Sequence, residues 1–360
     1  GVHYQEPHPV NFQGHSPSRI TWRAELYRTW SSLRPGWLNL NLPELQKTSS
    51  SIFVSGATGF IGRHLVSSLI KKGHAVSAMI RPGKRFDERL PAACEQIPVA
   101  LTDVEKLTGI VAESIAVIYC AGSVRGRKPA DFAEANIEGV QAIIDALGTV
   151  DHAPPLLLLS SLAATRPQVS DYSQSKHQGE MLLKGNSLFP WTILRPPAIY
   201  GPGDKEMLPV LKMARRGLLL HAGARQQRLS LLHVDDLARA VEAWLLQWQQ
   251  CLHQTYSIDD GKPGGYDWDD IGTAVSTGKY NLLKMPEFLL TNTARLNLLI
   301  ARLLGYPPML TPGKVQELIQ PDWLSADNQE FTAATGWNPA LDLESGVRQL
   351  FDQAHQNLNR

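Results

Sequence analysis

Cysteine is scarce. Only Cys94, Cys120 and Cys251 occur in 360 residues. They are widely spaced and odd in number, with no CxxC pair and no metal-ligand pattern, which argues against a disulfide framework or a cysteine-based metal site and for a reducing compartment. An excess of charge of either sign is also missing. Thirty-five Lys and Arg stand against 34 Asp and Glu, a net charge of +1, so no global field draws the chain to nucleic acid or to an anionic surface. No apolar run reaches the roughly 18 residues of a membrane span. The opening "GVHYQEPHPVNFQGHS" lacks the apolar stretch of a secretory signal, and a cytoplasmic location is expected. No internal repeat is visible. What remains is globular: 43% of residues are hydrophobic, enough for a sizeable core in one large domain or two smaller ones.

Residues 1–50 differ from the rest. They are rich in Pro, Ser, Asn and Gln, with Trp22, Trp30 and Trp37 interleaved with Arg19, Arg23, Arg28 and Arg34. The stretch "SRITWRAELYRTWSSL" is compatible with a short helix N-capped by Ser18. The segment reads as an arm packed on its own domain or on a second subunit. Trp with Arg also suits peripheral contact with a membrane, and "NFQGHS" resembles the scar of a protease site.

From Ser51 the pattern changes. The apolar stretches "SIFVSG", "HAVSAMI", "IAVIYCAG", "PPLLLLSS", "WTILRPP" and "TYSIDDG" alternate with segments of helical period. Such alternation indicates βαβ units and a parallel sheet buried on both faces, a doubly wound α/β Rossmann fold. After Tyr200 the alternation weakens. Residues 51–199 and 229–261 are expected to form the dinucleotide-binding domain, and 200–228 and 262–360 a smaller, mostly helical substrate domain.

The first strand–helix junction reads "SGATGFIGRH", with Gly56, Gly59 and Gly62 three apart. Glycine allows positive φ in the turn and lets the backbone approach a pyrophosphate, which then meets the free N–H groups of a helix N-terminus. At the end of the second strand an acidic residue suits NAD and an arginine suits the 2′-phosphate of NADP. Here "HAVSAMI" ends in Arg81, followed by Lys84 and Arg85, which favours NADP(H), with NAD(H) as the alternative. Asp103, in "ALTDVEKL", follows the third strand, where it or its neighbouring backbone can meet the adenine edge. The stretch "SDYSQSK" sets Tyr172 and Lys176 one helical turn apart, which by itself is ordinary for a surface helix.

Taken in order, "GATGFIG", "YCAG", "NIEG", "LLSSLAA", "YSQSK", "ILRPPAIYGPGD" and "LLHVDDLARAV" resemble the extended short-chain dehydrogenase/reductase family, over about residues 51–355. The resemblance implies a role for Tyr172 as acid/base at a substrate carbonyl or carbinol. Lys176 would lower its pKa and reach the nicotinamide ribose. Ser161, rather than the neighbouring Ser160, would orient the substrate oxygen, and Asn136 would hold a proton-relay water. Free tyrosine titrates near 10, so a cation beside Tyr172 would favour the phenolate. Gly56, Thr58, Gly59, Phe60, Ile61, Gly62, Arg81, Asp103, Ala121, Gly122 and Pro196 would contact the cofactor together with Tyr172 and Lys176. His233 and Asp235 read as structural.

Nucleotide-sugar members of the family commonly carry an Asn where this chain has Ala198 and an Arg where it has Leu229. Arg225 and Arg228 stand nearby and would serve if the loop shifts. The segment "MPEFLLTNTARLNLLIARLLGYPPML" is a strongly apolar helix that packs in the core, covers an apolar substrate or touches a lipid surface. Arg125, Arg127 and Lys128 in "SVRGRKPADF" form a solvated loop or meet an anionic tail of the substrate. The expectation is an NADP(H)-dependent oxidoreductase of a small, fairly apolar carbonyl compound, working as a homodimer or monomer. A nucleotide-sugar epimerase/dehydratase and a non-catalytic NAD(P)H-binding protein are the alternatives.

Overall fold

A computed structural model of the chain describes residues 51–84, 86–326 and 328–358. The arm expected in residues 1–50, with its helix at "SRITWRAELYRTWSSL", lies outside the described residues, as does Arg85.

Seven short strands form one parallel sheet: β1 Ser51–Ser55, β2 Val76–Ile80, β3 Glu95–Pro98, β4 Ser114–Tyr119, β5 Leu156–Leu159, β6 Trp191–Arg195 and β7 Gln254–Ser257. Their order across the sheet is β7-β6-β5-β4-β1-β2-β3, all neighbours parallel. Helices follow the strands on both faces. Those used below are α1 (Phe60–Lys71), α2 (Val104–Ala112), α4 (Asp171–Lys184) and α5 (Val234–Gln247). Between them the segments Ala130–Ala133, Glu134–Glu138 and Gly139–Gly148 run on as α3, the middle one a π turn.

The strands are apolar on both sides because both sides are covered. In β1, Ile52 and Val54 join the core beneath α1 and α5, with Leu65, Leu69, Leu237 and Trp244. Phe53, between them, faces the opposite layer with Val111, Val140 and Ile143 of α2 and α3. This alternation with period two divides one apolar run between two cores. The edge strand β3, "EQIP", has no fully buried residue and correspondingly no apolar signature.

Beyond the sheet, a third core gathers Tyr200, Leu211, Leu219, Trp268, Ile271 and Val347. Short parallel pairs link Ala198–Tyr200 to Leu231–His233 and Arg228–Leu229 to Asp322–Trp323. Of the helices in this part, those used below are α6 (Glu287–Leu304), α7 (Pro312–Leu318) and α8 (Leu343–Leu358).

Strand order reverses between β1 and β4. In a doubly wound sheet the crevice outside the carboxyl ends of such strands is where ligands bind. The ends of β1, β4 and β5 therefore fix where the candidate site lies.

Candidate active site

At two positions of the β1–α1 turn only glycine fits. Gly56 has φ +66°, and a Cβ there would stand 2.6 Å from the Ala121 nitrogen at the end of β4. A Cβ on Gly62 would lie 2.2 Å from the Gly56 carbonyl oxygen. The turn thus lies flat against the strand ends. Gly59 caps α1 with no side-chain hydrogen bond, and the first turn has no acidic residue. The helix begins with a positive dipole end that no carboxylate of its own neutralises. Thr58, Phe60 and Ile61 belong to this turn, and Arg63 fastens it by donating to the Thr58 carbonyl at 2.7 Å.

Ala121 and Gly122 continue β4 into the crevice. A Cβ on Gly122 would meet Asn136 Oδ1 at 3.3 Å and Lys176 Nζ at 3.6 Å. Pro196, just past β6, accepts from the Leu162 N–H at 2.8 Å and holds the loop of Ser161 against the sheet. These close approaches form a shallow cradle of the kind that a dinucleotide backbone fills, and the residues present fit such a group.

Two of the expected cofactor residues stand differently. Arg81 is exposed at the end of β2. The nearby Asp87 is engaged by Arg89 through two bonds of 2.7 and 2.6 Å, and that contact holds its carboxyl below the usual range. Asp103 caps α2: its carboxylate accepts from the Lys106 N–H at 3.2 Å and pairs with Lys106 Nζ at 3.1 Å. The Asp103 side chain is thereby engaged with its own helix.

Helix α4 starts at Ser170, whose hydroxyl accepts from the Ser173 N–H at 3.0 Å, a side-chain N-cap. Tyr172 therefore sits in the first turn and Lys176 one turn on, along one face. The Ser161 hydroxyl accepts from the Ala163 N–H at 3.2 Å and lies near enough to the Tyr172 phenol to favour its ionised form, while Ser160 donates to the buried Glu180 at 2.6 Å. Glu180 is held in turn by Arg195 and Lys184. The two adjacent serines thus part company: one is wired into the sheet–α4 contact, the other lies at the tyrosine.

Asn136 lies in the π turn of α3 and is 2% exposed. Its amide donates to the Ser123 carbonyl at 3.0 Å and to Ser175 at 2.9 Å, and its oxygen accepts from the Ser123 N–H at 3.1 Å. The side chain thus binds the loop after β4 to α4. π turns recur at functional sites, and this one points Asn136 at the base of the crevice.

The electrostatics depart from the sequence expectation. Lys176 is buried, and its ammonium donates to the Leu159 carbonyl at 2.9 Å. Burial pulls its pKa down to about 8, opposed by Cys120 and Glu180. Burial is also the largest influence on Tyr172 and pushes its phenol up, with the neighbouring Ser161 acting the other way. Lys314 of α7 is a cation that favours the Tyr172 phenolate, with Glu317 and Glu206 acting the other way. Lys314 pairs with Glu317 at 2.8 Å, and Glu317 accepts from Ser170 at 2.6 Å, so α7 is tied to the start of the tyrosine's helix. Nothing local in the sequence marks Lys314, which lies far down the chain from Tyr172.

The remaining candidates have structural partners. Asp235 accepts from His64 at 3.2 Å and from Gln349 at 2.9 Å, and the His64 contact helps pull its carboxyl down to about 2. His233 is fully buried and caps α5. Arg125 pairs with Glu206 at 2.6 Å and Arg127 with Asp131 at 3.5 Å. Ala198 is exposed, and Leu229 packs on the third core. Arg225 is clamped by Asp269 through two bonds of 2.8 Å. Arg228 faces Asp270 at 3.3 Å and Asp267 at 3.6 Å.

The profile of the NAD dependent epimerase/dehydratase family matches residues 52–258. A ceramide reductase of Caulobacter vibrioides is 29% identical over 76% of this chain and 85% of its own. A 2-alkyl-3-oxoalkanoate reductase of Stenotrophomonas maltophilia is 26% identical over 83% of this chain and 98% of its own. Among solved structures, a UDP-glucose 4-epimerase of Thermotoga maritima with UDP-glucose superposes with a TM-score of 0.64 at 19% identity, covering 86% of this chain and 99% of that one. The last likeness is one of fold. The chain belongs to the NAD dependent epimerase/dehydratase family.

Proposed function

We propose that the chain is an oxidoreductase that moves a hydride between NADP(H) and the carbonyl or hydroxyl of a fairly apolar compound such as a keto-lipid. The observation that carries the chemistry is the nearness of Ser161 to the Tyr172 phenol, with Lys176 buried one turn along the same helix. A bound nicotinamide supplies or accepts the hydride. The chain's own residues handle the proton. In reduction the Tyr172 phenol gives its proton to the substrate oxygen as the hydride reaches the carbon; in oxidation it takes one back. Ser161 orients that oxygen, and Lys314 and Lys176 offset the negative charge left on the phenolate. The choice of NADP(H) is supported by Arg81, exposed just past β2, where an arginine suits a 2′-phosphate, and by Asp87 being engaged with Arg89. Residues 51–199 with 229–261 then serve as the cofactor half, and 200–228 with 262–360 as the substrate half.

The substrate class rests on the diphosphate positions. A diphosphate must be desolvated, and without matched donors that is costly. Ala198 and Leu229 offer no donor there, and the cations nearest to them, Arg225 and Arg228, already face carboxylates. Two relatives are named as reductases of ceramide and of a 2-alkyl-3-oxoalkanoate, compounds with long apolar parts. Calorimetric titration of the NADP-loaded protein with UDP-glucose tests the claim. The expected result is no measurable heat of binding. Low-micromolar affinity would overturn the apolar-substrate reading in favour of a nucleotide sugar.

A further inference from the structure

Helix α6 is inside out. A surface helix ordinarily turns its apolar stripe to the protein and its polar side to water. In α6 the fully buried residues are the small Ala294 and Ala301. Asn297, on the same side, donates to the Leu310 carbonyl at 2.8 Å and accepts from the Tyr306 hydroxyl at 2.7 Å. The outward side carries Phe288, Leu296, Leu299 and Leu303, which are 55–77% exposed, and Leu304 ends the helix 73% exposed. These positions recur at helical spacing and form one stripe, not scattered side chains.

The charges beside the stripe are positive. Arg295 and Arg302 stand seven residues apart along one edge, both exposed. The single acid of the helix, Glu287, lies in its first turn. Arg302 reaches the Arg127 carbonyl at 3.5 Å, which brings the loop of Arg127, the exposed Lys128 and the exposed Val124 alongside. We infer that this face docks on an anionic lipid bilayer. The leucines and Phe288 would enter the acyl boundary, and the arginines would extend to the headgroup phosphates, as long cationic side chains do. A second copy of the chain is a poorer occupant. A two-fold contact sets one face against itself, and this face offers cations and leucines with no carboxylate along the stripe to meet them.

The position suits access to the crevice. Helix α6 packs on α7, and α7 holds the start of the Tyr172 helix through Glu317 and Ser170. The docking claim stands apart from the substrate reading, because lipid binding is measured without turnover.

Flotation of the full chain with vesicles is the test. The protein should float with phosphatidylcholine vesicles containing phosphatidylglycerol, and much less with phosphatidylcholine alone. Leu299→Glu with Leu303→Glu should cut partitioning at least about tenfold, the effect of losing about 1.4 kcal/mol of binding. Arg295→Gln with Arg302→Gln should weaken binding to the anionic vesicles by roughly fivefold per arginine. All four side chains are exposed, so melting temperatures should not move. The inference fails if the unmodified chain does not float, or if flotation survives the leucine substitutions, which would put any lipid contact elsewhere. It fails equally if the chain forms a dimer that the leucine substitutions dissolve, for then a second copy covers the face.

Discussion

Helices α1 and α6 are both rich in apolar residues, and they use them in opposite ways. In α1, Leu65, Val66 and Leu69 are buried against the sheet, while Lys71 ends the exposed side. In α6 the alanines are inside and the leucines outside. The first pattern is what a sheet demands of the helix that covers it. The second is what remains when protein covers only the small-residue side. The lesson is that an apolar period identifies a helix without saying what lies on its apolar face.

That contrast can be broken by substitution. The largest effect is expected at the start of α4. Tyr172→Phe should lower turnover by about 10²–10⁴-fold, the range for a positioned general acid/base, while leaving NADPH affinity and vesicle flotation unchanged. Near-full turnover in this variant would remove the tyrosine from the mechanism. Leu299→Glu with Leu303→Glu should do the converse, abolishing flotation and sparing turnover of a water-soluble ketone.

Stability sharpens the same comparison. Leu65→Ala in α1 should cost about 2–5 kcal/mol, as for other buried leucines. Leu303→Ala in α6 should stay within about 0.5 kcal/mol of the unmodified chain, as for an exposed site. Denaturant unfolding of the two variants measures both. A loss of similar size at Leu303 would mean that the leucine is buried in solution.

Much of the α1 region is legible in the sequence, and little of the α6 region is. Gly56, Gly59 and Gly62 announce a turn because their reason is local: backbone conformation and a neighbouring strand end. The alternation of apolar strands with helices likewise gives the doubly wound sheet. The choice between Ser160 and Ser161 is harder, since both follow the same strand. Glu180, twenty residues on, engages the first serine, which supports the second as the proposed partner of the tyrosine. Arg225 and Arg228 look free for a diphosphate until Asp267, Asp269 and Asp270 fold back onto them. Lys314 is invisible for the same reason. The core reading of α6 misses because an apolar stripe has the same period whether it faces protein or not.

A smaller effect should appear in the pH profile. Lys176 is held at about 8 by burial, so its ammonium is present below that pH and lost above it. The kcat/KM profile, which reports the free enzyme, should therefore fall as pH rises through about 8. Lys176→Arg, whose guanidinium stays charged, should move that fall to higher pH at the cost of some activity. A profile indifferent to the substitution would assign the titration to another group.

The central claim is that this site reduces or oxidises an apolar carbonyl compound. Nicotinamide absorbance, followed as the purified chain and NADPH meet ketones graded from a UDP-4-keto sugar to a long-chain 3-oxo lipid, tests it most directly. NADPH oxidation should rise toward the long-chain ketone. Oxidation with the UDP-keto sugar alone, or with none of the series, would contradict it.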